Sequence, residues 1–269
     1  MVDFPHCKIN LGLQVISKRE DGYHTIETCF YPVPWTDILE IIPSKEFAFT
    51  SSGLVIPGKE EDNLCIKAYQ LLQTQFKLEP VKIHLYKVLP TGAGLGGGSS
   101  DAAFTLRLLN SVFDLKLSTF HLKELAALLG SDCAFFVEDT PMLGNGKGEQ
   151  LTALTLSLKG YYLVLVKPPI HVSTAEAYAG VKPQLPDQTI SEILTYPVAN
   201  WKDYLVNDFE RSVFKKYPSI EAIKMQLYDY GAVYASMSGS GSSVFGIFQS
   251  KTDLSSHFEG SQYWSDYLN

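Results

Sequence analysis

Pro90-Thr91-Gly92-Ala93-Gly94-Leu95-Gly96-Gly97-Gly98-Ser99-Ser100-Asp101-Ala102-Ala103 places five glycines in the seven positions from Gly92 to Gly98. Upstream, Val81-Lys82-Ile83-His84-Leu85-Tyr86-Lys87-Val88 alternates apolar and polar residues, the signature of a half-buried strand. Downstream, Ser99, Ser100 and Asp101 precede Ala102, Ala103, Leu106, Leu109 and Val112, which reads as a capped helix start. A strand, a loop without side chains and a helix N-terminus together make an anion trap. Backbone without Cβ atoms can approach phosphate oxygens closely, loop N–H groups converge, and the helix dipole favours negative charge. A flexible turn is the alternative, but turns rarely need this many glycines ahead of two serines.

Related glycine loops are set apart by what surrounds them. A P-loop requires a lysine followed by serine or threonine after its last glycine, and none follows here. Gly92-x-Gly94-x-x-Gly97 can be matched to a dinucleotide fingerprint, with Asp114 downstream, but some eighty strand-rich residues without a βαβ repeat precede it. Protein kinases need His-Arg-Asp and Asp-Phe-Gly further on, and both are missing. The loop is a phosphate cradle of another kind.

With 269 residues, 45% of them hydrophobic, the chain can bury a large core in one big domain or two closely packed ones. A net charge of −7 argues against nucleic acid as a partner, and Lys215-Lys216 reads as a solvated helix face. No apolar run reaches the roughly 20 residues that span a bilayer, and the N-terminus has no signal-peptide pattern. Cys7, Cys29, Cys65 and Cys133 form no Cys-x-x-Cys pair, and the six histidines show no zinc spacing. A cytoplasmic protein with reduced cysteines and no membrane partner is expected.

A hairpin opens the chain, with Ile9, Leu11, Leu13 and Val15 on one face and Lys8, Asn10, Gly12 and Gln14 on the other. It turns at Glu20-Asp21-Gly22 and returns over residues 24–33. Strands are expected at 38–42 and 47–50, a helix after Asp62-Asn63, and helices at 100–112 and 119–129. The pattern restarts near residues 150–160 with a buried strand at 161–166. Helices near 173–180, 208–215 and 218–229 follow, with strands near 232–236 and 243–248. The fold class is α+β, in two lobes with the site between them.

Several residues could carry chemistry. Lys8 can neutralise charge on a transferring phosphoryl group, or serve as an edge-strand lysine against aggregation. Asp132, after Leu128-Leu129-Gly130-Ser131, either caps a helix or is held as a base. Tyr23 can stack on a pyrimidine and His24 read its edge, or both simply leave a turn. Thr174 and Tyr178 read as an N-cap with a core aromatic one turn later. Ser99 and Ser100 can cap the helix, touch phosphate or, for Ser100, hold Mg²⁺. Asp101 suits the helix dipole and is given no metal role. Gly239-Ser240-Gly241-Ser242-Ser243 is a second candidate cradle or a tight turn between two strands. Asn207-x-x-Glu210 is spaced like a capping box and reads as structural.

The segment from Pro90 to Ala103 resembles the central motif of the GHMP kinases (galactokinase, homoserine kinase, mevalonate kinase, phosphomevalonate kinase). Cys7-Lys8-Ile9-Asn10-Leu11-Gly12-Leu13 is similar to the first family motif and residues 237–243 to the third. Arg19-Glu20-Asp21-Gly22-Tyr23-His24, Gly130-Ser131-Asp132 and Asn207-Asp208-Phe209-Glu210 resemble one branch, which acts on a cytidine diphosphate-linked methylerythritol. Cys133-Ala134 departs from the Val-Pro usual after the aspartate, without touching the carboxylate.

The resemblance implies a ribosomal S5 domain 2-like N-terminal lobe over 1–155, holding the ATP loop, and a ferredoxin-like C-terminal lobe over 156–269. It implies ATP and Mg²⁺ as cofactors, transfer of the γ-phosphoryl group to the acceptor's C2 hydroxyl, and a place in non-mevalonate isoprenoid supply. Lys8 and Asp132 would be catalytic. Pro90, Thr91, Gly92, Ala93, Gly94, Leu95, Gly96, Gly97, Gly98, Ser99 and Ser100 would bind ATP, with Glu61-Asp62-Asn63-Leu64 a candidate adenine wall. Asn10, Tyr23, His24, Thr174, Tyr178, Gly239 and Ser240 would face the acceptor, with cytosine sandwiched between Tyr23 and Tyr178. The expected assembly is a monomer or weak homodimer. The rival readings are another GHMP small-molecule kinase, of homoserine or mevalonate type, and a silent nucleotide or sugar-phosphate sensor on the same scaffold.

Overall fold

The computed structural model describes residues 1–268 and contains twelve strands. In chain order they are β1 (Val2–Asp3), β2 (His6–Lys18), β3 (His24–Thr36), β4 (Ile38–Pro43), β5 (Ala48–Gly53) and β6 (Val81–Lys87). After these come β7 (Met142–Asn145), β8 (Gln150–Ala153), β9 (Tyr162–Lys167), β10 (Tyr234–Met237), β11 (Val244–Phe248) and β12 (Gln262–Tyr267). The helices are α1 (Leu64–Phe76), α2 (Gly97–Val112), α3 (Thr119–Leu129), α4 (Thr174–Ala179), α5 (Ile190–Ile193), α6 (Trp201–Tyr204), α7 (Glu210–Lys216) and α8 (Pro218–Asp229).

The chain divides into two compact units, and the division is discontinuous in sequence. The first contains Met1–Cys7, Pro34–Thr91 and Gly96–Asp139; the second contains Lys8–Val33, Gly92–Leu95 and the chain from Thr140 onward.

The first unit is a sheet of order β1-β4-β6-β5 packed on helices. In the antiparallel β4–β6 pair, Leu39 opposes Leu85 and Ile41 opposes Ile83 on the buried face, while Ile38 and Tyr86 oppose each other on the exposed one. Helix α2 packs against β4, α1, α3 and the 3₁₀ turn Cys133–Val137. Local signals set the helix ends. The Asn63 side chain accepts from the Cys65 N–H to start α1, and Ser118 accepts from His121 to start α3. Helix α2 behaves differently: it begins at Gly97, three residues ahead of the expected start, behind Gly96 at φ 71°, with no side-chain cap.

In the second unit, β10-β11-β9-β12 form an antiparallel sheet covered by α8, and β2-β3-β7-β8 form another. Leu13, Val15 and Ile26 share a buried cluster with Val164, Val166, Val213, Ile220 and Leu227, so the opening hairpin and the late helices build one core. Strand β2 is buried on both faces from Cys7 to Val15, whereas its alternation suggests one wet face. Strand β12 and the β7–β8 hairpin carry no strong periodic signal and were not foreseen. The four cysteines are buried thiols. No helix of the described residues is long and apolar enough to cross a membrane.

Candidate active site

The glycine loop turns left-handed at Gly92, Gly94 and Gly96 (φ 60°, 77° and 71°), a conformation that side chains resist. At Gly94 the requirement is absolute, because a Cβ would stand 2.0 Å from the Ser238 carbonyl oxygen. Ala93 and Leu95 bury their side chains, and their carbonyls accept from the Ser243 and Lys8 N–H groups at 3.2 and 3.0 Å. Pro90 is buried, whereas Gly92 and Gly98 are exposed. Beyond the loop, the first N–H groups of α2, from Gly97, Gly98 and Ser99, have no intrahelical partner. With no side-chain cap, those donors are presented at the positive end of a 16-residue helix, an arrangement suited to phosphate.

In the second unit the first and third motifs meet at Gly94. Lys8 is only 3% exposed, so it is not the solvated edge lysine its alternation allows. Its ammonium donates to Asn10 Oδ1 at 2.5 Å and to the Gly94 carbonyl at 3.0 Å, with the Phe30 ring centroid 5.2 Å away. Asn10 Nδ2 donates to Thr28 Oγ1, which donates to the Gly12 carbonyl. Gly239 packs here too: a Cβ there would lie 3.2 Å from Asn10 Oδ1.

On the acceptor side, His24 stacks on Tyr178 with ring centroids 4.8 Å apart and planes 16° from parallel. Tyr178 rests edge-on against Phe209. His24 thus lies on the ring expected to stack against cytosine. Tyr23 is 60% exposed and has the Lys147 ammonium 4.7 Å from its centroid. Ser173, not Thr174, caps α4 by accepting from the Glu176 N–H, which leaves the Thr174 hydroxyl to meet Ser240 Oγ at 3.4 Å.

In the first unit, Asp132 precedes the 3₁₀ turn Cys133–Val137 without capping it, and Ser131 Oγ lies 3.4 Å from its Oδ1. Ser100 Oγ is buried and has no hydrogen-bond partner. That orphaned hydroxyl, one turn into an uncapped helix, fits a Mg²⁺ ion carried in by nucleotide phosphates. It does not suit a caged metal, since the described residues hold no cluster of three or more metal-ligating side chains.

Beside the loop lies a cavity of about 310 Å³. Phe49, Ile56, Pro57 and Leu64 supply apolar wall, and Asn63, Lys87 and Asp101 supply polar groups. Asp62, Asn63 and Leu64 do line it, with the Asn63 side chain committed to the α1 cap. Its floor is a buried charge cluster that was not foreseen. Lys87 Nζ lies 2.5 Å from Asp37 Oδ2 and 2.6 Å from Asp101 Oδ2, while Asp37 Oδ1 accepts from the Val88 and Leu89 N–H groups. Burial disfavours the Lys87 charge, but the two carboxylates outweigh it and raise its pKa. One cation cannot neutralise two acids, so burial pushes the Asp101 carboxyl up to about 7 against the pull of Lys87. The signal was present in the strand: Lys87 shares parity with Val81, Ile83 and Leu85, and a lysine on the inward face needs partners. Asp101 belongs to that cluster rather than to the first helical turn.

Asn207 and Glu210 are also corrected. The capping box in this region is Thr189 with Glu192, at the start of α5. Asn207 Nδ2 donates to the Met237 and Gly239 carbonyls, and Glu210 Oε1 accepts from Ser236 Oγ and the Met237 N–H. Asn207 Oδ1 accepts from the Phe209 N–H just ahead of α7, and both side chains also hold the second cradle.

In the first unit, an uncapped glycine-loop helix beside a nucleoside-sized cavity suits phosphate binding outside the P-loop and dinucleotide classes. The family model described as GHMP kinases N terminal domain matches residues 63–139, and GHMP kinases C terminal matches residues 190–256. The chain belongs to the GHMP kinase family. It is 57% identical over 254 residues to the 4-diphosphocytidyl-2-C-methyl-D-erythritol kinase of Cytophaga hutchinsonii, covering 94% of each chain. To the enzyme of that name from Parabacteroides distasonis it is 51% identical, over 99% of this chain and 97% of the relative. A crystal structure of 4-(cytidine 5'-diphospho)-2C-methyl-D-erythritol kinase superimposes with a TM-score of 0.80 at 33% identity, covering 92% and 90%. Methanococcus jannaschii mevalonate kinase shares the fold, with a TM-score of 0.70 at 14% identity over 100% and 98%.

Proposed function

We infer that the protein transfers the γ-phosphoryl group of ATP to the C2 hydroxyl of 4-diphosphocytidyl-2-C-methyl-D-erythritol, giving ADP and the 2-phosphate. The observation that carries this reading is 57% identity along 94% of the chain to a kinase of that name. Full-length similarity at this level separates it from the mevalonate and homoserine kinases, which match at 13–18% identity.

The residues divide the work in a way the local geometry supports. Pro90–Ser100 bind the triphosphate through main-chain N–H groups, and the cavity beside Leu64 and Lys87 takes the nucleoside. Ser100 would hold Mg²⁺ together with the nucleotide phosphates, and the ion would supply charge neutralisation there. Lys8 stabilises negative charge on the transferred group, and Asp132 orients the C2 hydroxyl and takes its proton. Phosphoryl transfer passes through a loose transition state, so positioning and charge stabilisation outweigh strong base catalysis. The His24–Tyr178 stack, with Tyr23 beside it, reads the cytosine, and Asn10, Thr174, Gly239 and Ser240 line the acceptor side. The family lobes divide near residue 155. We expect a cytoplasmic monomer or weak homodimer, a state that light scattering on a sizing column reads directly.

The test is a coupled ADP-release assay with 4-diphosphocytidyl-2-C-methyl-D-erythritol, homoserine, mevalonate and phosphomevalonate, with ³¹P NMR to locate the new phosphate. Turnover confined to the cytidine substrate, with a C2 monophosphate as product, supports the assignment. Preference for another alcohol, or tight binding without turnover, sinks it.

A further inference from the structure

We propose that Ser238, held in place by Asn207 and Glu210, is a positioning residue for the Lys8 ammonium. The inference rests on the reading of Lys8 as the charge-stabilising group.

Ser238 is fully buried, and its hydroxyl sits where the first motif, the glycine loop and the third motif converge. It donates to the Gly94 carbonyl at 2.9 Å and accepts from the Asn10 N–H at 3.2 Å. Gly94 O and Asn10 Oδ1 also accept from the Lys8 ammonium. A carbonyl oxygen offers two lone pairs, and at Gly94 one takes Ser238 and the other Lys8. Ser238 thus fixes the direction of one acceptor and the backbone of the residue that supplies the other. Two of the three ammonium protons are aimed by groups that Ser238 holds.

Ser238 is itself held from behind. Asn207 Nδ2 spans the Met237 and Gly239 carbonyls at 2.8 Å each, gripping the residues on both sides of Ser238. Glu210 Oε1 takes the Met237 N–H at 2.8 Å and Ser236 Oγ at 2.9 Å, and its other oxygen is anchored by Lys224 at 2.6 Å. Both residues are buried, and Asn207 Oδ1 also accepts from the Phe209 N–H at 3.0 Å, which fixes the amide that grips the strand end. Charge-assisted bonds of this kind are short and directional, so the strand end has little room to drift. A chain of contacts from Lys224 through Glu210, Met237, Ser238 and Gly94 ends on Lys8.

The experiment compares wild type, Ser238→Ala, Asn207→Asp, Lys8→Met and the Ser238→Ala/Lys8→Met double variant in the full chain. Kinetics are read alongside hydrogen–deuterium exchange over residues 8–13. Ser238→Ala removes one buried oxygen, and Asn207→Asp preserves shape while removing both donors. Each is expected to lower kcat about tenfold with KM for ATP within twofold of wild type. In the Lys8→Met background Ser238→Ala is expected to cost nothing more. Exchange across residues 8–13 should rise at least fivefold in Ser238→Ala, with α1 unchanged. Wild-type kcat in Ser238→Ala, the same tenfold factor recurring without Lys8, or unchanged exchange overturns the proposal. A wild type that does not turn over the cytidine substrate sinks the functional reading instead, and exchange across residues 8–13 then decides the positioning role alone.

Discussion

Lys87 and Asp101 form an ion pair closed off from solvent, at 2.6 Å with side-chain exposures of 1% and 4%, and Asp101 Oδ1 is left without a partner. Asp37 completes the cluster, so two acids share one base beneath the glycine loop. Removing Asp37 leaves Lys87 and Asp101 as a matched pair, so the cost comes from buried donors left without a partner, about 1–3 kcal/mol each. Asp37→Ala strands the Val88 and Leu89 N–H groups. With two donors stranded it is expected to lower unfolding stability by about 2 kcal/mol or more in urea titration. A loss under 1 kcal/mol, about what an exposed pair contributes, would show the cluster to be solvated.

The same cluster makes stability depend on pH. Burial raises Asp101 from 3.8 to about 7, so between these values the folded protein holds a proton that the unfolded chain releases. The stabilisation from this group is complete below pH 4 and is lost as the pH climbs to about 7. Asp101→Asn abolishes that dependence. Urea titrations of wild type and variant in EDTA, from pH 4.5 to 8, should differ by an amount that drifts on the order of 2–3 kcal/mol against wild type as pH rises. A constant difference would contradict the shift.

Asp132→Ala tests the catalytic assignment. Loss of a positioned acid or base typically costs 10²–10⁴-fold, so kcat should fall by about 10²-fold or more while ATP affinity, by isothermal titration, stays within about threefold. Equal loss of both would assign Asp132 to binding.

Gly94→Ala should be the most damaging change in the loop. The methyl would meet the Ser238 carbonyl oxygen at 2.0 Å in a backbone conformation at φ 77°. Gly98→Ala is the control, because a Cβ there meets nothing within 4 Å. Loss of both melting temperature and nucleotide binding is expected at Gly94, and near-wild-type stability at Gly98.

Tyr178→Ala should raise KM for the cytidine substrate about tenfold, since stacking a base on an aromatic ring contributes roughly 1–3 kcal/mol. Tyr178→Phe keeps the ring and should stay near wild type. A Phe variant as impaired as Ala would transfer the role to the hydroxyl.

The glycine loop, its flanking strand and helix, and the main helices were legible because each has a local cause: parity, helical spacing, or glycines at left-handed turns. What sequence left open depends on partners far along the chain. Lys87 lies on the apolar parity of β6, but nothing near it points to Asp37 fifty residues earlier. Asn207 and Glu210 have capping-box spacing, yet besides Phe209 and Lys224 their side chains reach residues 236–239, partners that local spacing does not show. Serines after the glycines suggested a capped helix, whereas the helix starts before them and goes uncapped. The His24–Tyr178 contact brings together rings 154 positions apart, which no short pattern encodes.

Helix α2 enters the first unit with its leading amides unanswered by any side chain of its own terminus. An amino-terminal cap is worth about 1 kcal/mol, and the protein forgoes it where an anion can supply the missing acceptors. Nucleotide is then a structural component as much as a reactant. Resistance to heat and proteolysis should therefore track how much ATP or ADP surrounds the protein, rising with saturation as any ligand that prefers the native state dictates.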